Sequence, residues 1–331
     1  MSIVEVNNFS KDYVINKHSK GALSMLKNLI HTETEIKHAV QDVSFSIDEG
    51  EIVGYIGPNG SGKSTTIKSL VGIMVPTSGD IRVNGLVPYK NRKLNAKNVG
   101  AIFGQRSQLW WDIPVYESLN MMKYIYKIDA AKFKQNLDMF TDILDMGSYI
   151  NMPVRQLSLG QRIRADICMG LLHEPKVLYL DEPTIGLDVV VKNSIRELIL
   201  EINKTKNTTV ILTTHDVADI EKLCKRVILI NKGKLEFDGD INNMKKMIQS
   251  EEVLDIETFE ENIQVELFQF EALVQISKEA SNRVKFTYDN NKISASYILQ
   301  SVIEKYKVKD FKVSENSLED TLRKLYVARE K

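Results

Sequence analysis

An α/β fold built on a mostly parallel sheet is predicted by three observations. The run "EIVGYIG" feeds a glycine-rich turn and then the helical stretch "KSTTIKSLVGIM"; "KVLYLD" and "TTVILTT" are apolar from end to end; and each of these runs is followed by a helical pattern. Strands without polar alternation are buried on both faces, and helices between them supply the cover.

In chain order, residues 2 to 6 and 40 to 47 alternate apolar with polar, as half-buried strands do. Between them Leu23, Leu26, Leu29 and Ile30 share one helical face. Residues 115 to 146 read as two helices, and a helix opens after Ser158. The strand "KVLYLD" precedes a helix near 189 to 203, and "TTVILTT" precedes a helix opening at Asp216. After "LEFDGD" the character changes. The strands "VLDIET", "RVKFTYD" and "DFKVSE", with two amphipathic helices, predict a small separate α+β domain over 246–331, behind a larger one over 1–245.

With 331 residues, 43% of them hydrophobic and 27% charged, the chain has the composition of a soluble globular protein of two domains. Lysine plus arginine equals aspartate plus glutamate, 44 each, so charge gives no reason to expect nucleic acid as a partner. No apolar run approaches the roughly 20 residues of a membrane span, and the first residues do not read as a secretion signal. The two cysteines, Cys168 and Cys224, lie in apolar helical patterns, which suits inert buried thiols in a reducing cytosol.

"GPNGSGKS", Gly57 to Ser64, matches the phosphate-binding loop G-x-x-x-x-G-K-[ST] in its required setting between a strand and a helix. Gly57, Pro58, Asn59, Gly60, Ser61 and Gly62 would turn backbone N–H groups toward phosphate oxygens, and the helix that carries Thr65 presents its positive end. Lys63 would reach the β- and γ-phosphates, and Ser64 the bridging magnesium. Two adjacent carboxylates, Asp181 and Glu182, end the strand "VLYLD". Asp181 is placed for the magnesium shell and Glu182 for orienting or deprotonating a water. His215, where "TTVILTT" gives way to a helix, would alone be an ordinary structural histidine.

Phosphate loop, "LSLGQ", "LDEP", "GLD" and a strand-terminal histidine, in that order over residues 2 to 240, resemble the nucleotide-binding subunit of an ATP-binding cassette (ABC) transporter. The resemblance implies a P-loop NTPase cassette with an antiparallel β subdomain and a helical subdomain at about 106–170. It implies ATP and Mg2+ as ligands, and ATP hydrolysis with Glu182, His215, Lys63 and Gln105 as catalytic residues. Gln105 corresponds to the glutamine that senses magnesium and the attacking water. Ser158, Gly160 and Gln161 correspond to the signature turn that holds the γ-phosphate of a nucleotide bound to a second copy, and Asp188 to a contact with the opposite phosphate loop. Read alone, "LSLGQ" is an N-cap with a capping box, and both readings can hold together. Tyr13 is the candidate for stacking on adenine, although residues 16 to 38 lengthen its usual spacing and an ordinary tyrosine fits as well.

Two features depart from the family pattern. Leu159 stands where glycine is common, so its side chain must point away from the phosphates. In "GQRSQLWWDIPVYESL", Trp110 and Trp111 cannot both face one core if the stretch is extended; either one ring is exposed at a contact surface, or both pack inside the helical subdomain. The "YIGPNGSGKSTTIK", "FGQRSQLWWDIPV" and "PTIGLD" stretches look most like the ATPases of ABC-2 type exporters, the drug and sodium efflux group. The implied partners are a separate ABC-2 type permease, at the cytoplasmic face of the membrane, and a second copy or a homologous ATPase subunit. The alternative is a soluble ABC ATPase acting on ribosomes or DNA.

Overall fold

The computed structural model describes residues 1–16, 34–103, 107–214, 216–246, 251–268, 270 and 274–315. The chain divides into two compact units, Met1–Gly239 and Asp240–Lys331.

In the first unit, six strands form one sheet: β3 (Ile52–Ile56), β5 (Val99–Phe103), β6 (Val177–Asp181), β7 (Thr209–Thr213), β8 (Arg226–Asn231) and β9 (Lys234–Asp240), in the order β5-β6-β7-β3-β8-β9. The first five run parallel. Every residue of β7 and four of the five of β6 are buried, as strands covered on both faces require. Lys232 and Gly233, at φ 47 and 79, make the two-residue turn into β9. The helices connecting these strands are α1 (Lys63–Val71), α2 (Arg92–Asn98), α5 (Leu159–Leu171), α6 (Val189–Lys206) and α7 (Val217–Leu223). The helical segment adds α3 (Val115–Tyr126) and α4 (Ala130–Ile143), the two helices expected there.

A second sheet holds β1 (Ser2–Asn16), β2 (Thr34–Asp48) and β4 (Ser78–Val83), antiparallel in the order β2-β1-β4. Phe9, Val43, Tyr55, Ile81 and Ile228 belong to one core shared by the two sheets. Strands β1 and β2 are far longer than the stretches 2 to 6 and 40 to 47. Register shifts at Val6/Phe9, Phe9/Lys11 and Lys11/Asp12 break the two-residue period that made the shorter runs visible. The helical face at Leu23 to Ile30 lies outside the described residues, as does much of the 16–38 segment.

The second unit has a four-stranded antiparallel sheet of β10 (Glu251–Thr258), β11 (Val274–Ala280), β12 (Arg283–Asp289) and β13 (Val308–Glu315), ordered β11-β12-β10-β13. Helix α8 (Ile241–Lys246) precedes it, and α9 (Ala295–Ile303) packs Ile298 and Val302 into a core with Leu254, Ile256 and Phe286. Of the two amphipathic helices expected after residue 253, α9 is the one among the described residues. Strand β11 was not expected: in "VQISKEA" the outer half is exposed and charged, which weakens the strand pattern.

One buried cluster fixes the loops at the C-terminal edge of the parallel sheet. Asp219 on α7 has no solvent exposure. Its Oδ1 accepts from Arg196 Nε at 2.6 Å and pairs with Nη2 at 2.5 Å. Its Oδ2 accepts from Thr184 Oγ1 at 2.5 Å and Thr214 Oγ1 at 3.1 Å. Removing Asp219 would leave buried Arg196 with only the longer pair to Asp216 at 3.6 Å and the Asn193 amide oxygen at 3.1 Å, so Asp219→Ala should lower unfolding free energy by about 3–5 kcal/mol. Denaturant unfolding reads this directly; a loss below about 1 kcal/mol, the scale of an exposed ion pair, would mean that the cluster does not carry the edge.

Candidate functional site

The phosphate loop leaves β3 and ends in α1. Gly62 caps that helix at φ 109, and Gly60 turns at φ 79, both conformations that disfavour a side chain. A Cβ on Gly57 would sit 2.0 Å from the Ile230 carbonyl oxygen, and one on Gly62 2.6 Å from that of Ala39. Glycine is thus required by close approach as well as by φ. Lys63 is buried, and its Nζ donates to the carbonyls of Gly57 at 2.7 Å and Pro58 at 3.1 Å. Burial holds its pKa below the usual lysine value, while the charges of Glu182 and Asp181 pull it back up. An ammonium held over the loop by two weak acceptors is ready to exchange them for phosphate oxygens.

A cleft of about 520 Å³ opens on this loop, lined by Asn59, Gly60, Gly62, Lys63, Ser64 and Thr65, by Glu182, and on the other side by Tyr13, Val14, Ile15, Lys37 and Ala39. Tyr13 therefore does reach the cleft. Its hydroxyl lies 3.4 Å from Thr65 Oγ1 and donates to Met74 Sδ at 3.1 Å, and Lys11 sits 5.6 Å from the ring centre. Gly57, Pro58 and Ser61 belong to the loop but do not line the cleft.

Strand β7 lies between β3 and β6, so Asp181 is one strand removed from the phosphate loop rather than on the adjacent strand end. Thr213, paired with Asp181 across β6 and β7, holds the acidic pair. Its hydroxyl donates to Asp181 Oδ1 at 2.5 Å and accepts from the Glu182 N–H at 3.2 Å; its carbonyl accepts from the same N–H at 2.9 Å. Glu182 itself has φ 55, a left-handed conformation that costs a non-glycine residue energy and persists when its surroundings hold it. Sequence reasoning missed Thr213, Thr184 and Asp219. Each is an unremarkable residue type whose partner is distant in sequence; the one local hint was an acid three residues into a helix already capped by Asp216. His215 and Gln105 lie outside the described residues.

An oxygen-only set suits magnesium, which takes one or two carboxylates and fills its octahedron with water and phosphate oxygens. The Ser64 hydroxyl, exposed to the cleft, and the Asp181 carboxylate, oriented by Thr213, fit that pattern.

The signature turn is built as its local sequence demands. Ser158 Oγ accepts from Gln161 N–H at 3.3 Å, and Gln161 Oε1 accepts from Ser158 N–H at 2.9 Å, a complete capping box on α5. A Cβ on Gly160 would lie 3.6 Å from Val191 and 3.8 Å from Leu187, and one on Gly186 3.3 Å from Leu159. Signature turn and 186–191 loop thus pack against each other. Asp188 caps α6 through Val191 N–H at 2.9 Å. Beside it Val189 and Val190 are 71% and 75% exposed, and Ile185 and Leu159 are exposed as well.

Of the tryptophans, neither is packed away: Trp110 is 39% and Trp111 50% exposed. Both cysteines are buried, and burial pushes their thiols up, Cys224 to about 12. Among the described residues no helix is long and apolar enough to cross a membrane.

A family model described as ABC transporter matches residues 40–185. The ABC transporter ATP-binding protein NatA of Bacillus subtilis is 29% identical over 219 residues, 66% of this chain and 89% of NatA. An ABC transporter ATP-binding protein of Methanocaldococcus jannaschii, MJ1023, is 30% identical over 250 residues, 76% of this chain and 89% of that protein. The dimeric ATP-binding cassette MJ0796, solved in a post-hydrolysis state bound to ADP and Pi, aligns with 72% of this chain and 98% of its own at TM-score 0.59 and 25% identity.

Thr213→Val deletes the hydroxyl at nearly constant volume. A hydrogen bond to a charged group contributes about 1.5–3 kcal/mol, so ATP turnover should fall roughly 10- to 100-fold with the fold retained by circular dichroism. Turnover within a factor of about two, well under 1 kcal/mol, would show that Thr213 does not position the acidic pair.

Proposed function

This chain belongs to the ATP-binding proteins of ABC transporters, and from that premise we propose that two copies sandwich two ATP molecules and energise a separate ABC-2 type membrane permease for export. One observation carries the shared site. The cleft on the phosphate loop is lined by Glu182 but, among the described residues, by none of the signature turn. The turn instead sits with the 186–191 loop beside exposed Ile185, Val189 and Val190. Exposed apolar side chains clustered around polar, anion-binding groups are what an association face needs.

In this reading residues 1–245 are the ATP-binding domain and 246–331 an accessory one. Gly57 to Thr65 hold the phosphates, with Tyr13 at the base. Ser64 and Asp181, with Gln105 as the resemblance implies, would hold magnesium, which would supply positive charge against the phosphates. Glu182 takes the proton of the attacking water, while Lys63 and His215 stabilise the transferring γ-phosphate. Ser158, Gly160 and Gln161 of one copy close on the nucleotide of the other, and Asp188 meets the opposite phosphate loop. Leu159, already turned toward Gly186, leaves the anion-facing side of the turn clear. Export is supported by the likeness of the phosphate-loop and tryptophan stretches to ABC-2 type exporter ATPases. The complex works at the cytoplasmic face of the membrane, and the permease selects the cargo.

Glu182→Gln should keep ATP binding and trap the dimer while losing about 10²–10⁴-fold in turnover, the usual share of a general base. Steady-state turnover within a factor of about three, under 1 kcal/mol of barrier, would remove Glu182 from that role.

A mixing experiment tests the shared site. Ser158→Arg should bind ATP as a monomer but form no ATP-dependent dimer, and Lys63→Ala should lose ATP binding and activity. Mixed together, the two chains assemble one site from the intact phosphate loop of the first and the intact signature turn of the second, so part of the ATPase activity returns. A monomer defect in Ser158→Arg, with no recovery on mixing, would place the whole site within one chain.

A further inference from the structure

A second cavity, of about 190 Å³, shares no residue with the nucleotide cleft. It forms where the end of α3 and the start of α4 meet the last turn of α2 and residues 172–174, just beyond α5. Its walls hold three ammonium groups, Lys97, Lys127 and Lys132, and one carboxylate, Glu174. That carboxylate is matched twice, by Lys132 at 3.0 Å and by Lys206 at 2.6 Å. Asp129, two residues beyond Lys127, is engaged in capping α4. Lys97 and Lys127 are exposed and pair with no carboxylate among the described residues. The cavity therefore carries positive charge in excess.

Helix ends account for part of this, since Lys97 lies in the last turn of α2 and Lys127 caps α3, where cations are favoured. They do not account for His173. Its ring stacks on Tyr126 with centroids 4.0 Å apart, and its Nε2 lies 3.0 Å from the Val99 carbonyl oxygen. A carbonyl only accepts, so Nε2 carries a proton. Burial lowers the pKa of the ring, which leaves Nδ1 as a bare acceptor. That nitrogen is buried with no hydrogen-bond partner among the described residues, a costly arrangement. Asn136 of α4, itself buried, donates to the Leu172 carbonyl at 3.0 Å and holds the histidine's segment in place.

Ammonium groups call for an anion, and the bare nitrogen calls for a donor. Sulfate and the dianion of a phosphate monoester bring charge without an O–H, whereas free phosphate keeps an O–H at physiological pH. We propose that this cavity is a second ligand site, which takes inorganic hydrogen phosphate with its charged oxygens on Lys97 and Lys127 and its O–H donated to His173 Nδ1. Because Nδ1 is covered in this structure, seating the ion requires the lining side chains to shift, and the lysine stems are long and flexible enough to do so. The ligand is the ion that ATP hydrolysis releases, bound at a place separate from the cleft that releases it.

Nitrogen-15 NMR of histidine-labelled protein tests this, because the Nδ1 resonance of a neutral ring moves when that nitrogen accepts a hydrogen bond. The chain is saturated with Mg·AMP-PNP so that the nucleotide cleft stays filled. His173 is told from the other four of the five histidines by its nuclear Overhauser contact with the Tyr126 ring. At about pH 8, well above the second pKa of a monoester near 6, phosphate should shift Nδ1 saturably. Sulfate and methyl phosphate at equal ionic strength should not. Replacing both exposed lysines, Lys97→Ala with Lys127→Ala, should weaken the phosphate response about fivefold or more, and arginine at both positions should retain it. Circular dichroism melting confirms that these surface variants are folded. The absence of a saturable shift overturns the proposal, as does an equal response to all three anions or a response that the double alanine variant leaves unchanged.

Discussion

A carboxylate sealed from solvent organises the working edge of this protein. Asp219 gathers Arg196 from α6, Thr184 from the turn after Glu182, and Thr214 from the end of β7. Thr184 and Arg196 belong to the β6–β7 connection and Thr214 to the β7–β8 connection. Without Asp219 the threonine hydroxyls would lose this acceptor, and Arg196 would keep only the longer ion pair to Asp216 at 3.6 Å. Their common acceptor fixes where the chain leaves β6 and β7. The Asp181–Glu182 step is then aimed by Thr213, one strand over from the phosphate loop. Polar satisfaction in the interior, more than apolar packing, sets the geometry on which phosphate chemistry depends.

How much of this was legible in the sequence follows the range of the interactions involved. The phosphate loop and the capping box at Ser158 are contained in a few consecutive residues, so their residue types already state their geometry. The apolar strands β6 and β7 were equally plain, because burial on both faces leaves an uninterrupted signal. Strand order was not legible: nothing local says that β7 separates β3 from β6, and so Thr213 had no apparent partner. The true lengths of β1 and β2 were hidden by bulges, each of which shifts the inward-facing set by one residue. The tryptophan pair illustrates a third case. The sequence left open one exposed ring or two packed ones, and only the structure shows both partly exposed, with the Arg162 guanidinium 4.6 Å from the Trp111 ring centre.

The second unit obeys the same physics with less to report. Its sheet packs Leu254, Ile256, Val284, Phe286 and Tyr288 with Ile298 and Val302 of α9, and Phe268 meets Phe286 edge-on at 5.5 Å. Opposite charges on its strands pair across neighbouring positions, as in Arg283 with Asp255 and Lys309 with Glu257. Exposed pairs of this kind are worth little individually. They do pin register where a one-residue slip would turn the apolar set outward.

The left-handed backbone at Glu182 bears on how such a protein evolves. A side chain held at φ 55 costs roughly 1–3 kcal/mol that a glycine there would not pay. With Glu182 as the proposed base, thermodynamic stability and turnover pull in opposite directions at this one position. If selection on turnover lapsed, drift alone would favour residues that accept the conformation without strain, and the lineage would become sturdier as it fell silent. A glutamate at a left-handed position is the choice that selection on turnover, rather than on stability, would retain.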